Sequence, residues 1–301
     1  MAKHVVLDAI ARSGTTLMSA LLRSQEKSMA FCPGFNEPLS CKDIGEWPHG
    51  ICRQDFLNSP EIDFQKFQNE SYSQIVDYAQ YYGLSQEEWS SIIYDASNTS
   101  EIRKNIEKAF PDIEIFCYRW NQSLCYFHEW IKNGEDFLWL SMIRHPLDRA
   151  VSSFEKHHWQ FEESLKNTLC FAEKLQAIKD HPQFHLVYYE DLVDSPEQIM
   201  QSVYSFFGAP SLDINLESIK GSNGEDFIPQ SSMIVNVSEK KDGYLTDAKK
   251  YNGLYKKGVD RYKKAAYFDT DGTKKPMMNV ETHEVFANML DKYPEYNRYF
   301  K

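Results

Sequence analysis

No apolar run in this 301-residue chain approaches the ~18–20 residues that cross a bilayer. Mean hydropathy is −0.56. A basic amino-terminal region followed by a long apolar stretch is also missing. His4 to Ile10 is only strand-sized, so no secretory leader is expected. Six cysteines (Cys32, Cys41, Cys52, Cys117, Cys125 and Cys170) form no CxxC pair, and no histidine cluster stands at zinc-finger spacing. The expectation is reduced cytosolic thiols packing as small hydrophobes, with no metal site. Basic residues are outnumbered. Lys plus Arg number 33 against 44 Asp plus Glu, for a formal net charge of −11. That disfavours a nucleic acid or an anionic membrane as partner, while leaving room for a local basic site. What the chain does have is core-forming material. It is 42% hydrophobic and 14% aromatic, which excludes a disordered chain.

A strand over His4–Ile10 is followed by a small-residue loop, Ala11-Arg12-Ser13-Gly14-Thr15-Thr16. Leu17 with Leu21, and Met18 with Leu22, then give an amphipathic helix at i, i+4. Residues 31–60, rich in Pro, Gly, Asn and Cys, read as irregular. Ser85-Gln86-Glu87-Glu88 is a capping-box pattern, and Ile102, Ile106 and Phe110 form a one-sided stripe. Beyond them the chain alternates. Strands are expected at Ile113–Tyr118, Phe137–Ile143 and Phe184–Tyr189. Helices are expected at Leu124–Ile131, from Leu147 to Phe154, at Glu162–Ile178, and after Ser195 with Pro196 at the first position. Such alternation predicts a single α/β domain over 1–301, with a central parallel sheet flanked by helices on both faces. From 221 to 280 periodicity weakens, and a loop region or lid over a site is expected.

Strand, Arg-Ser-Gly-Thr-Thr, helix is a phosphate-binding arrangement. A helix amino terminus offers unsatisfied N–H groups and the positive end of its dipole. Gly14 permits close backbone approach, and Thr15, Thr16 and Arg12 add side-chain donors. A second motif, Arg144-His145-Pro146-Leu147-Asp148-Arg149-Ala150-Val151-Ser152, stands at a strand end and the first turns of a helix. Arg144 would leave the carboxyl edge of the sheet, where α/β proteins bind ligands. With Ser152 it can hold a second phosphate. A kinase-type loop would need Gly-Lys-Ser/Thr, which is missing, so a P-loop small-molecule kinase is the weaker alternative.

Together these blocks resemble the sulfotransferase superfamily that uses 3′-phosphoadenosine 5′-phosphosulfate (PAPS). Arg12–Thr16 match its phosphosulfate loop. Arg144, Pro146 and Ser152 match its 3′-phosphate motif, and Tyr189-Glu190-Asp191-Leu192 match its Tyr-Glu-Asp-Leu block. Order and spacing agree over roughly residues 4–210. The resemblance implies a P-loop-like sulfotransferase fold and transfer of a sulfuryl group to a hydroxyl or amine, releasing PAP, without a metal. By the same resemblance Arg12, Ser13, Gly14, Thr15, Thr16 and Leu17 would hold the 5′-phosphosulfate. Arg144 and Ser152 would hold the 3′-phosphate. Tyr189 would lie near the adenine, or else be a core tyrosine capping its strand.

Three positions depart from the family pattern or extend it. Cytosolic members carry Lys-Thr-His where this chain has Arg119-Trp120-Asn121. Arg119 would supply the second cation, and the usual His base is missing. Glu37, in Phe35-Asn36-Glu37-Pro38, is the expected replacement, with His157 and His158 behind it. Lys256-Lys257-Gly258 and Arg261 look like a degenerate 3′-phosphate grip, or else a solvated basic loop. The stretch 249–264 holds seven basic residues and one acid, so the rest of the chain sums to −17. That surplus favours a neutral or cationic small-molecule acceptor. A guanidinium-bearing alkaloid, as in cyanobacterial saxitoxin-tailoring members, is one such acceptor. A carbohydrate or protein tyrosine is the alternative. A cytoplasmic enzyme is expected.

Overall fold

The computed structural model describes residues 2–31, 83–85, 87–88, 91–92, 99–121, 127, 131, 136–157, 161–209, 219, 266–268, 274–276 and 293–299. Five parallel strands form its centre: β1 (Lys3–Ala9), β2 (Ser28–Phe31), β3 (Ile115–Asn121), β4 (Leu138–Ile143) and β5 (Phe184–Tyr188), in the order β2-β3-β1-β4-β5. The middle strand, β1, pairs on both sides. Val5 stands opposite Cys117 of β3 and Leu138 of β4. Its Val5, Val6, Leu7 and Ala9 are fully buried, as is Asp8, so both faces of the strand are covered and apolar and polar residues do not alternate along it.

Side chains alternate between the two faces of the sheet. On one face Val5, Leu7, Cys117, Leu140 and Met142 pack under α1 (Thr15–Arg23) and α6 (Pro196–Phe207). On the other, Val6, Phe116, Trp139 and Phe184 pack under α2 (Thr99–Ala109) and α4 (Phe161–Gln176). Each fully buried Val, Leu or Phe contributes roughly 1.5–3 kcal/mol, so the two layers supply most of the driving force. Between β4 and α4 runs α3 (Pro146–His157), and β5 leads straight into the short α5 (Tyr189–Asp194). A 3₁₀ segment, Pro294–Tyr299, lies against the second face with Tyr296 buried.

Most sequence expectations are met within a few residues. The capping box is present in both directions. Ser85 N donates to Glu88 Oε2 at 2.8 Å, and Glu88 N donates to Ser85 Oγ at 3.2 Å. Ser195 precedes α6, with Pro196 at its start. Ile102 and Ile106 are buried, and Phe127 and Ile131 are helical. Three features differ. β2 was not anticipated, because four residues are too few to show a period. β3 runs on to Asn121, because β1 continues to offer it partners as far as Ala9. The segment 221–280 lies outside the described residues except for two strands, β6 (Ala266–Phe268) and β7 (Lys274–Pro276), an antiparallel pair where a loop was expected. Among the described residues no helix is long and apolar enough to cross a membrane.

Candidate active site

β1 and β4 are neighbours, but their continuations part. After β1 the chain turns to α1 on one face. After β4 it turns to α3 and then to α4 on the other. That divergence makes a crevice at the carboxyl edge of the sheet, the switch point where α/β folds bind ligands. The Arg12–Thr16 loop and the Arg144 motif are the two lips of this crevice.

The loop is a compact left-handed turn. Arg12 has φ 75° and Gly14 φ 102°. Ser13 N donates to Ile10 O at 3.2 Å, and α1 begins with Met18 N donating to Gly14 O at 3.1 Å. The first turn of α1 has no side-chain cap and no acidic residue, so its N–H groups and dipole face the crevice. Ser13, Thr15 and Leu17 are buried, while Arg12, Gly14 and Thr16 are partly exposed. A left-handed conformation costs a non-glycine residue such as Arg12 roughly 1–2 kcal/mol, so something must hold it.

Contacts between the two lips do so. Arg12 Nε donates to Ser152 Oγ at 3.0 Å, and Arg144 Nη1 donates to Arg12 O at 3.0 Å. The structure therefore brings Arg12, Ser13, Gly14, Thr15, Thr16, Leu17, Arg144 and Ser152 together at one edge. Tyr189 lies beneath. Its ring is 4.6 Å from the Arg144 guanidinium and 4% exposed. A Cβ built on Gly14 would stand 2.4 Å from Tyr189 Cδ2, so only glycine fits above this ring. Tyr189 thus supports both lips from the core side. The next residues extend the brace. Glu190 Oε1 accepts from His145 N at 2.9 Å, and Asp191 pairs with both terminal nitrogens of Arg298. His145 Nδ1 accepts from Leu147 N at 3.3 Å and caps the start of α3.

Arg119 lies within β3, opposite Leu7, rather than beyond the strand end. Its place in the strand puts it on the α1 face, beside Cys117. Cys117 itself is an inert thiol, pushed up to about 12 by burial. Glu37, His158, Lys256, Lys257, Gly258 and Arg261 lie outside the described residues, and His157 closes α3. One buried cation at this edge was not singled out by the sequence. Arg149, 1% exposed, donates to Ala11 O just before the loop. A charged residue adjoining the apolar positions Leu147, Ala150 and Val151 was the only available signal.

The profile of the sulfotransferase family matches residues 9–213, which include both lips and the Tyr189 brace. The chain belongs to the sulfotransferase family. It is thus an enzyme of the sulfuryl-transfer class. Solved structures share its fold. A sulfotransferase domain from the curacin biosynthetic pathway is 14% identical, covering 96% of this sulfotransferase and 98% of that chain with a TM-score of 0.55. The sulfotransferase domain of the Synechococcus PCC 7002 olefin synthase is 15% identical, covering 70% and 75% with a TM-score of 0.50. No curated protein sequence matches this sulfotransferase.

Proposed function

We propose that this sulfotransferase takes PAPS as donor, passes its sulfuryl group to a hydroxyl or amine of a small-molecule acceptor, and releases PAP. The observation that carries the reading is the tie between Arg12, Ser152 and Arg144, which joins the two anion-binding motifs across one crevice. The donor set suits the molecule: helix N–H groups, hydroxyls and two guanidiniums, at two points of one edge.

PAPS supplies the sulfuryl group and a stable leaving phosphate. The protein's part is positioning and charge stabilisation, as in phosphoryl transfer. Ser13, Gly14, Thr15, Thr16 and Leu17 hold the 5′ end. Arg144 and Ser152 hold the 3′-phosphate, helped by Lys256, Lys257, Gly258 and Arg261. Arg12 and Arg119 offset charge on the transferring and leaving oxygens. Glu37 accepts the acceptor's proton. The acceptor is neutral or cationic, in keeping with the acidic remainder of the chain. The enzyme works in the cytoplasm.

Incubation with ³⁵S-labelled PAPS and a panel of neutral and cationic alcohols and amines tests this. The expected result is label on an acceptor with stoichiometric PAP. Absence of PAP binding in calorimetry would sink the reading. Glu37→Gln should lower kcat by ~10²-fold with PAP affinity kept. A surviving rate would move the base to His157 or His158.

A further inference from the structure

Arg149 is a buried charge whose three nitrogens donate to protein oxygens. It lies on α3, one turn before Ser152, and is 1% exposed. Its nitrogens reach three places. Nε donates to Thr168 Oγ1 at 2.9 Å, Nη2 donates to Ser164 O, and Nη1 donates to Ala11 O at 3.3 Å. Thr168 Oγ1 donates onward to Ser164 O at 3.0 Å. Thr168 and Ser164 belong to α4 and are themselves buried. The planar fork is thus anchored by two nitrogens in α4, and its third reaches the loop.

We propose that Arg149 is a positioning residue. It ties the phosphate loop to α4 and sets the left-handed turn at Arg12 before any ligand arrives. The carbonyls of residues 11 and 12 flank the Arg12 Cα. Arg149 holds the first and Arg144 the second. Fixing both peptide planes fixes the backbone dihedrals between them. That is what a non-glycine residue at φ 75° requires. Packing alone does not account for the cation, since an apolar side chain of similar volume commonly fills such a site at no loss. Burial, with Arg144 close by, lowers Arg149 to about 10. It therefore stays charged at neutral pH. Arg149 acts through the Ala11 carbonyl and hence through the loop.

The consequence for PAPS rests on the reading proposed above, so the test has one readout that needs no ligand. Amide hydrogen exchange in the free protein reports Ser13 N, bonded to Ile10 O, against Leu22 N in the last turn of α1. Calorimetry with PAP reports affinity. In Arg149→Met, Ser13 exchange should rise about ten-fold while Leu22 is unchanged, and PAP should bind about ten-fold more weakly with the acceptor KM unaltered. Thr168→Val should shift both readouts in the same direction, by about three-fold, and Thr168→Ser should restore them. Should Arg149→Met not fold by circular dichroism, the Thr168 pair decides alone. Exchange within two-fold of wild type in Thr168→Val and in any folded Arg149→Met would overturn the proposal. A wild type that does not bind PAP would overturn the cofactor reading, and the exchange comparison would still decide the clamp.

Discussion

At the amino end of β1, His4 is buried and its polar atoms are satisfied by neighbours. Nε2–H donates to Glu107 Oε1 at 2.9 Å, and Nδ1 accepts from the Tyr118 hydroxyl at 2.7 Å. The ring also stacks on Phe116 and Tyr118. Beyond the carboxyl end, around the loop at Arg12, three arginines meet. The hydrogen bonds named above for Arg12, Arg144 and Arg149 end on carbonyl and hydroxyl oxygens. One end of the strand pairs its polar groups with each other and adds stability. The other ties three guanidiniums to backbone and hydroxyl oxygens that shape the loop. The same strand thus leads from a histidine network at one end to an arginine network at the other.

The sharpest way to break the arginine end is Gly14→Ala. The new Cβ would meet the Tyr189 ring at 2.4 Å, at a φ that side chains resist. PAP affinity should fall by more than about 100-fold in calorimetry, because the loop must leave its place. Tyr189→Leu removes the platform under Arg144, and PAP should bind roughly five- to ten-fold more weakly. Substitution at the histidine end should do the reverse. Tyr118→Phe deletes the donor to His4 and should cost about 1–3 kcal/mol in denaturant unfolding, with PAP affinity unchanged. A loss of PAP affinity there would dissolve the contrast.

The smallest effect is on pH. Burial lowers His4 below its ordinary 6.5, and burial lowers His185 as well. The unfolded chain then binds protons that the folded one resists. Stability is therefore full above about pH 6.5 and falls as pH drops below it. The melting temperature should be lower at about pH 5.5 than at about pH 7.5, and less so in His4→Gln. A flat profile would place the cost of burial elsewhere.

The phosphate loop was legible because strand, loop and helix are contiguous, so local order alone exposes it. The Arg144–Ser152 motif was legible for the same reason. The braces were not. Arg149 finds its partners at residues 11, 164 and 168. Tyr189, Glu190 and Asp191 each hold a different distant group: Gly14 with Arg144, His145, and Arg298. A block that matches a family motif therefore conceals three separate tertiary ties. β2 escaped because its four residues gain their register only from β3. The expected core tyrosine and the expected adenine neighbour are the same residue in sequence. The packing of Tyr189 beneath Gly14 and Arg144 is a tertiary contact that the local sequence does not carry.

The central claim is that the two lips hold two separate phosphates. Calorimetry of PAP against 5′-AMP, in wild type and in Arg144→Ala, isolates the second phosphate. Wild type should prefer PAP by about 100-fold, and the preference should collapse in Arg144→Ala, with AMP binding weakened less than PAP binding because the Arg12 carbonyl also loses its donor. Equal binding of PAP and AMP by the wild type, or a preference that survives Arg144→Ala, would contradict it.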